Sequence, residues 1–215
     1  MLGVMLGDKH SFHDYALFLK SYPAITPPTM KTKYVDVPGA DGALDLSRTL
    51  TGYMQYNRRT ITMEFTITAP REEWPDVHSR IMDDLHGQEV SIVLDDDPEY
   101  FYTGTLCVQG YDPQKVTSGV TILADVEPYK TKVEPTRRAF AVSGSLTASI
   151  TVMRKPVIPV ITASADMEMT YGAATVDLPA GESIFPDLIL RKGVENTFTF
   201  KGNGSVTFEY REGRF

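Results

Sequence analysis

Between positions 59 and 68 apolar and polar residues alternate without a break: Ile61, Met63, Phe65 and Ile67 against Thr60, Thr62, Glu64, Thr66 and Thr68. A strand with one buried face and one wet face has this period of two. Its β-branched residues suit a pleated surface. Segments 90–94, 103–109, 119–127, 147–153, 196–201 and 204–210 alternate in the same way. The last two flank Gly202-Asn203-Gly204, whose Asn-Gly pair supplies the positive φ of a tight turn and predicts a hairpin.

One segment has a different period. In 71–87, Trp74, Val77, Ile81 and Leu85 recur at spacings of three and four, which predicts one helix with a single apolar face. Glu72 and Glu73 suit its positive N-terminal end, His86 its last turn, and Gly87 a left-handed stop. Pro75 requires the helix to begin close before it. Segment 128–140 carries two prolines and four cations and reads as a linker. A second Pro-rich joint at 155–159 reads as a stiff connection between strands.

A chain of 215 residues, 42% hydrophobic and 23% charged, can bury a real core as one large or two small domains. The opening residues have neither the basic start nor the apolar run of a secretory signal, so synthesis in the cytoplasm is expected. Cys107 has no second cysteine to pair with and is expected to be buried and inert. The net charge of −7 argues against a protein that works by neutralising phosphates. That charge is uneven: residues 1–136 hold 12 Lys/Arg against 20 Asp/Glu, and residues 137–215 hold 9 against 8, a break that suggests two domains.

Candidate chemistry is sparse. His10 and His13, between Asp8 and Asp14, could ligate a metal, but their spacing in an apparent loop reads as a polar turn. Asp95, Asp96, Asp97 and Glu99 form an acidic turn closed by Pro98, without the glycine and terminal glutamate of an EF-hand. His78, Asp83, Asp84 and His86 share the helix, where Arg80 can pair with Asp83 or Asp84, and nothing specifies a pocket. The glycines and aspartates of 39–45 read as turn geometry. Tyr100, Phe101 and Tyr102 could stack on sugars but read as core or interface at strand spacing. No nucleophile elbow, phosphate loop, dinucleotide fingerprint or zinc-protease motif occurs. No enzyme activity, cofactor or metal is expected.

The order of motifs resembles a known family. The N-terminal strand runs into Gly7-Asp8-Lys9-His10-Ser11, and Pro27-Pro28 precedes Val37-Pro38-Gly39-Ala40-Asp41-Gly42-Ala43-Leu44-Asp45-Leu46. Leu85-His86-Gly87 is followed by Asp95-Asp96-Asp97-Pro98-Glu99-Tyr100. This order is similar to that of distal tail (Dit) proteins, which sit at the tail-tip and baseplate hub of siphoviruses. The resemblance is strong over 1–135 and weaker beyond. It implies a mainly β fold: a tail-tube-like β-sandwich with one helix over 1–135, and over 136–215 a smaller, peripheral β-sandwich, galectin-like or a trimmed jelly-roll.

The implied function is structural. The protein would form a homo-hexameric ring in the virion tail, assembled in the host cytoplasm. The ring would join the tail tube protein to a tail-associated lysin or tail fibre hub. Receptor-binding proteins or host glycans are further partners in host attachment. DNA would pass without specific binding, and no membrane partner is implied. Glu64 and Asp125, on wet strand faces, are expected to line the channel, and Trp74, Val77, Ile81 and Leu85 to form the helix packing face. The competing class is a carbohydrate-binding β-sandwich module, which would not need the inserted helix.

Overall fold

The computed structural model describes residues 3–114 and 116–215. It is 52% strand and 9% helical, which makes the class mainly β, and its antiparallel sheets curl into half-barrels. Contacts divide the chain into two units, one running up to Lys130 and taking in Phe215, the other Thr131–Arg214.

The first unit contains β1 (Val4–Leu6), β2 (Lys9–His10), α1 (Ser11–Tyr15), β3 (Leu17–Leu19), β4 (Ala24–Ile25), β5 (Tyr34–Asp36), β6 (Ala43–Asp45), β7 (Arg59–Ile67), α2 (Trp74–Leu85), β8 (Glu89–Leu94), β9 (Tyr100–Pro113) and β10 (Ser118–Val126). Its main sheet has the order β2-β1-β8-β9-β10-β7-β3, with β4 also against β7. The register sets Phe65 opposite Val120, Met63 opposite Ile122 and Ile61 opposite Ala124, so the odd positions of β7 and the even positions of β10 share one dry face. α2 supplies Trp74, Val77, Ile81 and Leu85 to that same core. Trp74 Nε1 donates to the Ala69 carbonyl at 2.9 Å, which satisfies the one polar atom of a buried indole. Gly87 ends the helical segment at φ +78°, and its N–H donates to the Leu106 carbonyl at 2.8 Å, which ties the exit to β9.

Two features of this unit were not expected. The turn at 8–14 contains α1, a second helix, because the His10 ring caps it: Nδ1 accepts from the N–H groups of Phe12 (3.1 Å) and His13 (3.4 Å). Cys107 is exposed, not buried, because Leu106 and Val108 take the dry positions and leave it on the wet face. Gly104 permits the tightest approach in the sheet. A Cβ there would lie 2.3 Å from the Asp125 carbonyl and 2.6 Å from Val126 Cγ1.

The second unit begins with β11 (Lys130–Lys132), at the junction, and continues with β12 (Thr136–Ile150), β13 (Val160–Ala163), β14 (Met167–Tyr171), β15 (Ala174–Leu178), β16 (Gly181–Ile184), β17 (Asn196–Tyr210) and β18 (Gly213–Arg214). The expected linker at 128–140 is largely strand. Residues 136–140 open β12, and Lys132 N–H bonds the Glu212 carbonyl at 2.8 Å, so the polar residues there belong to paired backbone. The expected hairpin at 202–204 is also absent. β17 continues through these residues as one strand, paired with β12 from Asn196↔Ile150 to Tyr210↔Thr136.

The glycines have another purpose. The far edge of β17 takes β14 along 198–201 and β13 along 206–209, and the connection between those two strands crosses at the glycines. A Cβ on Gly202 would meet Met167 Cγ at 2.8 Å, and one on Gly204 would meet Ser164 Oγ at 2.5 Å. Their φ values of +144° and +148° suit glycine alone. Phe198 and Phe208 would be about 33 Å apart along a straight strand, yet their ring centroids are 4.7 Å apart. The β12–β17 ribbon is therefore sharply bent, and its two halves close on one phenylalanine-rich core.

α1 is tied to α2 by a polar cluster. Lys9 Nζ reaches Asp84 Oδ2 at 2.7 Å, and the Tyr15 hydroxyl donates to the same oxygen at 3.1 Å. The Lys9 hydrogen bond lowers the Asp84 pKa below the ordinary carboxylate value. Burial, then Asp84, pushes the Tyr15 phenol up to about 12.

Three outcomes follow for stability. Ile81→Ala, at a fully buried site, should cost about 2–5 kcal/mol in urea unfolding. Gly104→Ala should destabilise as well, since backbone must shift to admit the methyl group. The Tyr15 value, raised from 10.0, contributes stability that is whole below pH 10 and lost as pH rises towards about 12. Urea unfolding at stepped alkaline pH should show a shallower loss for Tyr15→Phe than for the unaltered protein.

Candidate functional site

The outward face of the first sheet is a continuous row of mostly polar residues. Thr60, Thr62, Glu64 and Thr66 of β7 stand beside Thr121, Leu123 and Asp125 of β10, with Thr105 and Cys107 of β9 next in line. Glu64 lies opposite Thr121, and Asp125 lies between Thr60 and Thr105. Both carboxylates are exposed. Asp125 is not free: Arg58 Nε sits 3.0 Å from Asp125 Oδ2, Arg58 Nη1 3.7 Å from Glu127, and Arg58 Nη2 donates to the Asp125 carbonyl at 2.7 Å. Beside Glu64 lies a polar depression of about 210 Å³ lined by Lys20, Glu64, Asp112, Gln114 and Thr121 among others. The face therefore mixes acids with Lys20 and Arg58.

Arg59 is not a flanking surface cation. It has the parity of Ile61 and turns inward, 6% exposed, with its guanidinium carbon 5.1 Å from the centre of the Tyr102 ring. Desolvation lowers its pKa. Its Nε and Nη2 have no hydrogen-bond partner.

The clusters weighed for chemistry are occupied structurally. His10 Nε2 lies 3.3 Å from Asp95 while Nδ1 caps α1. Lys130 pairs with Asp97. His78 stacks on Tyr111 with centroids 4.3 Å apart, and His86 Nδ1 accepts from Val108 N–H at 3.2 Å. Asp84 binds Lys9 and Tyr15 across the unit, so the salt bridge from Arg80 within the helix is not the one formed. Among the described residues no group of three or more His, Cys, Asp or Glu is placed to hold a metal ion. Tyr100 and Tyr102 are buried at 4% and 5% exposure, so they offer no open platform for a sugar ring.

A more distinctive feature escaped the sequence reading. β5 and β6 form a two-stranded sheet of their own, and all six of its residues are exposed. Bonds from Lys31 N–H to the Gln55 carbonyl (2.9 Å) and from Asn57 N–H to the Thr29 carbonyl (2.8 Å) extend the pairing towards its base. Tyr34 (59% exposed), Val35, Val37 and Leu44 point into solvent along this arm. The turn at Gly39 and Gly42, with φ of +82° and +75°, was legible. The absence of any covering layer was not, because Tyr-Val-Asp and Ala-Leu-Asp are ordinary strand sequences.

In the second unit a largely apolar hollow of about 190 Å³ is lined by Met169, Tyr171, Val176, Phe185, Pro186 and Leu188 among others. The Tyr171 ring stacks on Phe198 and its hydroxyl donates to the Ile189 carbonyl at 3.2 Å, so this aromatic is engaged.

No family model matches the sequence, and no curated protein matches it. A solved structure does match. It is the Dit protein (gp 19.1) of SPP1, described as a paradigm of the hub adsorption apparatus in phages that infect Gram-positive bacteria. The match covers 98% of this chain and 99% of that one, with a TM-score of 0.70 and 12% sequence identity. The chain thus shares its fold, across both units, with a phage tail hub protein.

Proposed function

We propose that this protein is a structural component of a phage tail tip: a ring subunit that joins the tail tube to the adsorption apparatus and leaves a passage for DNA. The observation that carries this reading is the extent of the fold likeness. A match over 98% of one chain and 99% of the other includes both units and the segments between them, not one widespread sandwich. The engaged state of the polar clusters supports a non-enzymatic role.

The first unit is assigned to the ring and the second to the periphery. The arm of β5 and β6 fits the ring assignment. A two-stranded sheet with both faces in water is marginal by itself, and its exposed Tyr34, Val35 and Leu44 gain cover only from another molecule. A head-to-tail contact whose rotation closes gives a cyclic oligomer, six-fold by likeness to distal tail proteins. Partners on this reading are a tail tube protein on one side and a lysin or fibre hub on the other. Receptor-binding proteins or host glycans would meet the second unit.

Glu64 and Asp125 are assigned to the lumen. Arg58 offsets part of the charge on Asp125, so Glu64 carries most of the repulsion towards a passing duplex, over a range of about 8 Å at physiological salt.

Negative-stain imaging of the purified protein, alone and with its tube partner, tests the ring. Six-fold particles are expected, and persistent monomers under both conditions refute it. Val35→Asp/Leu44→Asp changes only exposed residues, so it should melt like the parent while losing rings. Glu64→Lys/Asp125→Lys should keep the ring and bind duplex DNA more tightly at low salt than at high salt. Unchanged DNA binding, or an image with these residues outside the channel, removes them from the lumen.

A further inference from the structure

β12 is paired with β17 along all 15 of its residues, and no described strand lies against its other edge. Ser205 shows which way that edge faces. Its N–H donates to Ser164 Oγ at 2.8 Å and its carbonyl accepts from Ser164 N–H at 2.9 Å. The main-chain groups of Ser205 thus point away from β12. Its opposite residue, Ala141, must then turn its own N–H and C=O to the open side, and Ala139 shares that orientation.

An edge of this kind is a template for another strand unless it is blunted. The other edges of this sheet are short and each holds an acid: β15 has five residues with Asp177, and β16 has four with Glu182. From Ala139 to Ile150, β12 has no charge and no proline. Its inward row is incompletely covered, since Phe140, Leu146 and Ala148 are only partly buried against the core.

We propose that this edge pairs with the same edge of a second copy, antiparallel, about a two-fold axis at Gly144. The sequence around that residue is close to a chemical palindrome. In this register Ser143 faces Ser145 of the second copy, Val142 faces Leu146, and Ala141 faces Thr147. Phe140 faces Ala148, large against small, and Ala139 faces Ser149. The cations stand clear of one another, because Arg138 lies opposite Ile150 of the second copy.

Geometry selects the same register. The β12–β17 ribbon departs from regular strand geometry where Gly144 faces Gly202, with φ of +74° and +144°. Two bent ribbons can lie edge to edge only if their bends fall on one line, and a two-fold axis normal to the sheet keeps both inner faces on one side. Centring that axis on Gly144 meets both conditions. The result is a continuous four-stranded ribbon in which Phe140, Leu146 and Ala148 gain cover. This pairing uses the second unit alone and stands whether or not the first unit forms a ring.

Light scattering and analytical ultracentrifugation of the full chain test it against three variants at equal concentration. Ala141→Pro removes a donor from the open edge without touching the β17 ladder. Ala141→Lys/Thr147→Lys sets like charges opposite each other, and Ala141→Lys/Thr147→Glu sets opposite charges. The unaltered chain should have twice the particle mass of the first two variants, and the third should recover the doubling. Circular dichroism and thermal melting confirm that each variant is folded. Should Ala141→Pro fail to fold, the lysine pair carries the comparison.

Equal mass for the unaltered chain and a folded edge variant overturns the pairing, whatever that common mass is. Doubling that is lost in the lysine pair but not regained with glutamate overturns the register. Capture of a different tail protein that depends on this edge, without doubling, overturns the second copy as occupant. If the ring reading fails instead, six-fold particles are absent while the twofold change in mass remains.

Discussion

Each long strand of the two larger sheets has one dry face and one wet face among the described residues, and both of those sheets must find cover for the dry one. β7 sets the requirement in the first unit. Its buried row of Ile61, Met63, Phe65 and Ile67 lies in register with Val120, Ile122 and Ala124 of β10. A sheet with one apolar face is unstable without a second layer. α2 brings part of that layer as Trp74, Val77, Ile81 and Leu85. The second unit has no helix among its described residues and covers its dry face by bending. Gly202 and Gly204 let β17 turn, and the Phe198, Phe200 and Phe208 rings then meet across the fold. One rule of burial thus yields two architectures, decided by whether cover comes from another element or from the same ribbon.

Much of this was readable in the sequence because it depends on local period. The β7 alternation and the α2 spacing specify which side chains share a face, and those faces are the ones buried. The failures share a cause. Gly202-Asn203-Gly204 announces unusual torsion angles, but torsion does not say whether the chain reverses. The close approach of Ser164 and Met167 explains the glycines, and those residues are distant in sequence. Cys107 takes the wet face because a small thiol fits either face and the buried Leu106 and Val108 fix the parity. The prolines and cations of 128–140 read as a linker, yet Arg137 and Arg138 are exposed on a paired edge strand and the half-buried Lys130 pairs with Asp97.

The candidate surfaces were less legible than the fold. Glu64 and Asp125 could be put on wet faces from parity alone. The hold of Arg58 on Asp125 required the register of β7 against β10. The exposed arm and the open edge of β12 are absences of neighbours. No pattern of residues encodes an absence, so sequence periodicity could not reveal them.

The two uncovered features differ in the physics of recognition. The arm presents apolar side chains, Tyr34, Val35 and Leu44, on strands that already bond each other. Its affinity must come from apolar area, which is insensitive to salt and depends on shape. The β12 edge presents main-chain donors and acceptors beside small side chains. Its affinity comes from hydrogen bonds whose spacing accepts any extended chain, so its selectivity rests on register and on side chains such as Phe140 opposite a small residue. Substituting an arm residue removes side-chain contact alone. Disabling the edge requires a proline or a misplaced charge. Because the arm lies in the first unit and the edge in the second, either can be altered while the core that supports the other stays intact, and the two modes of association can be separated in a single chain.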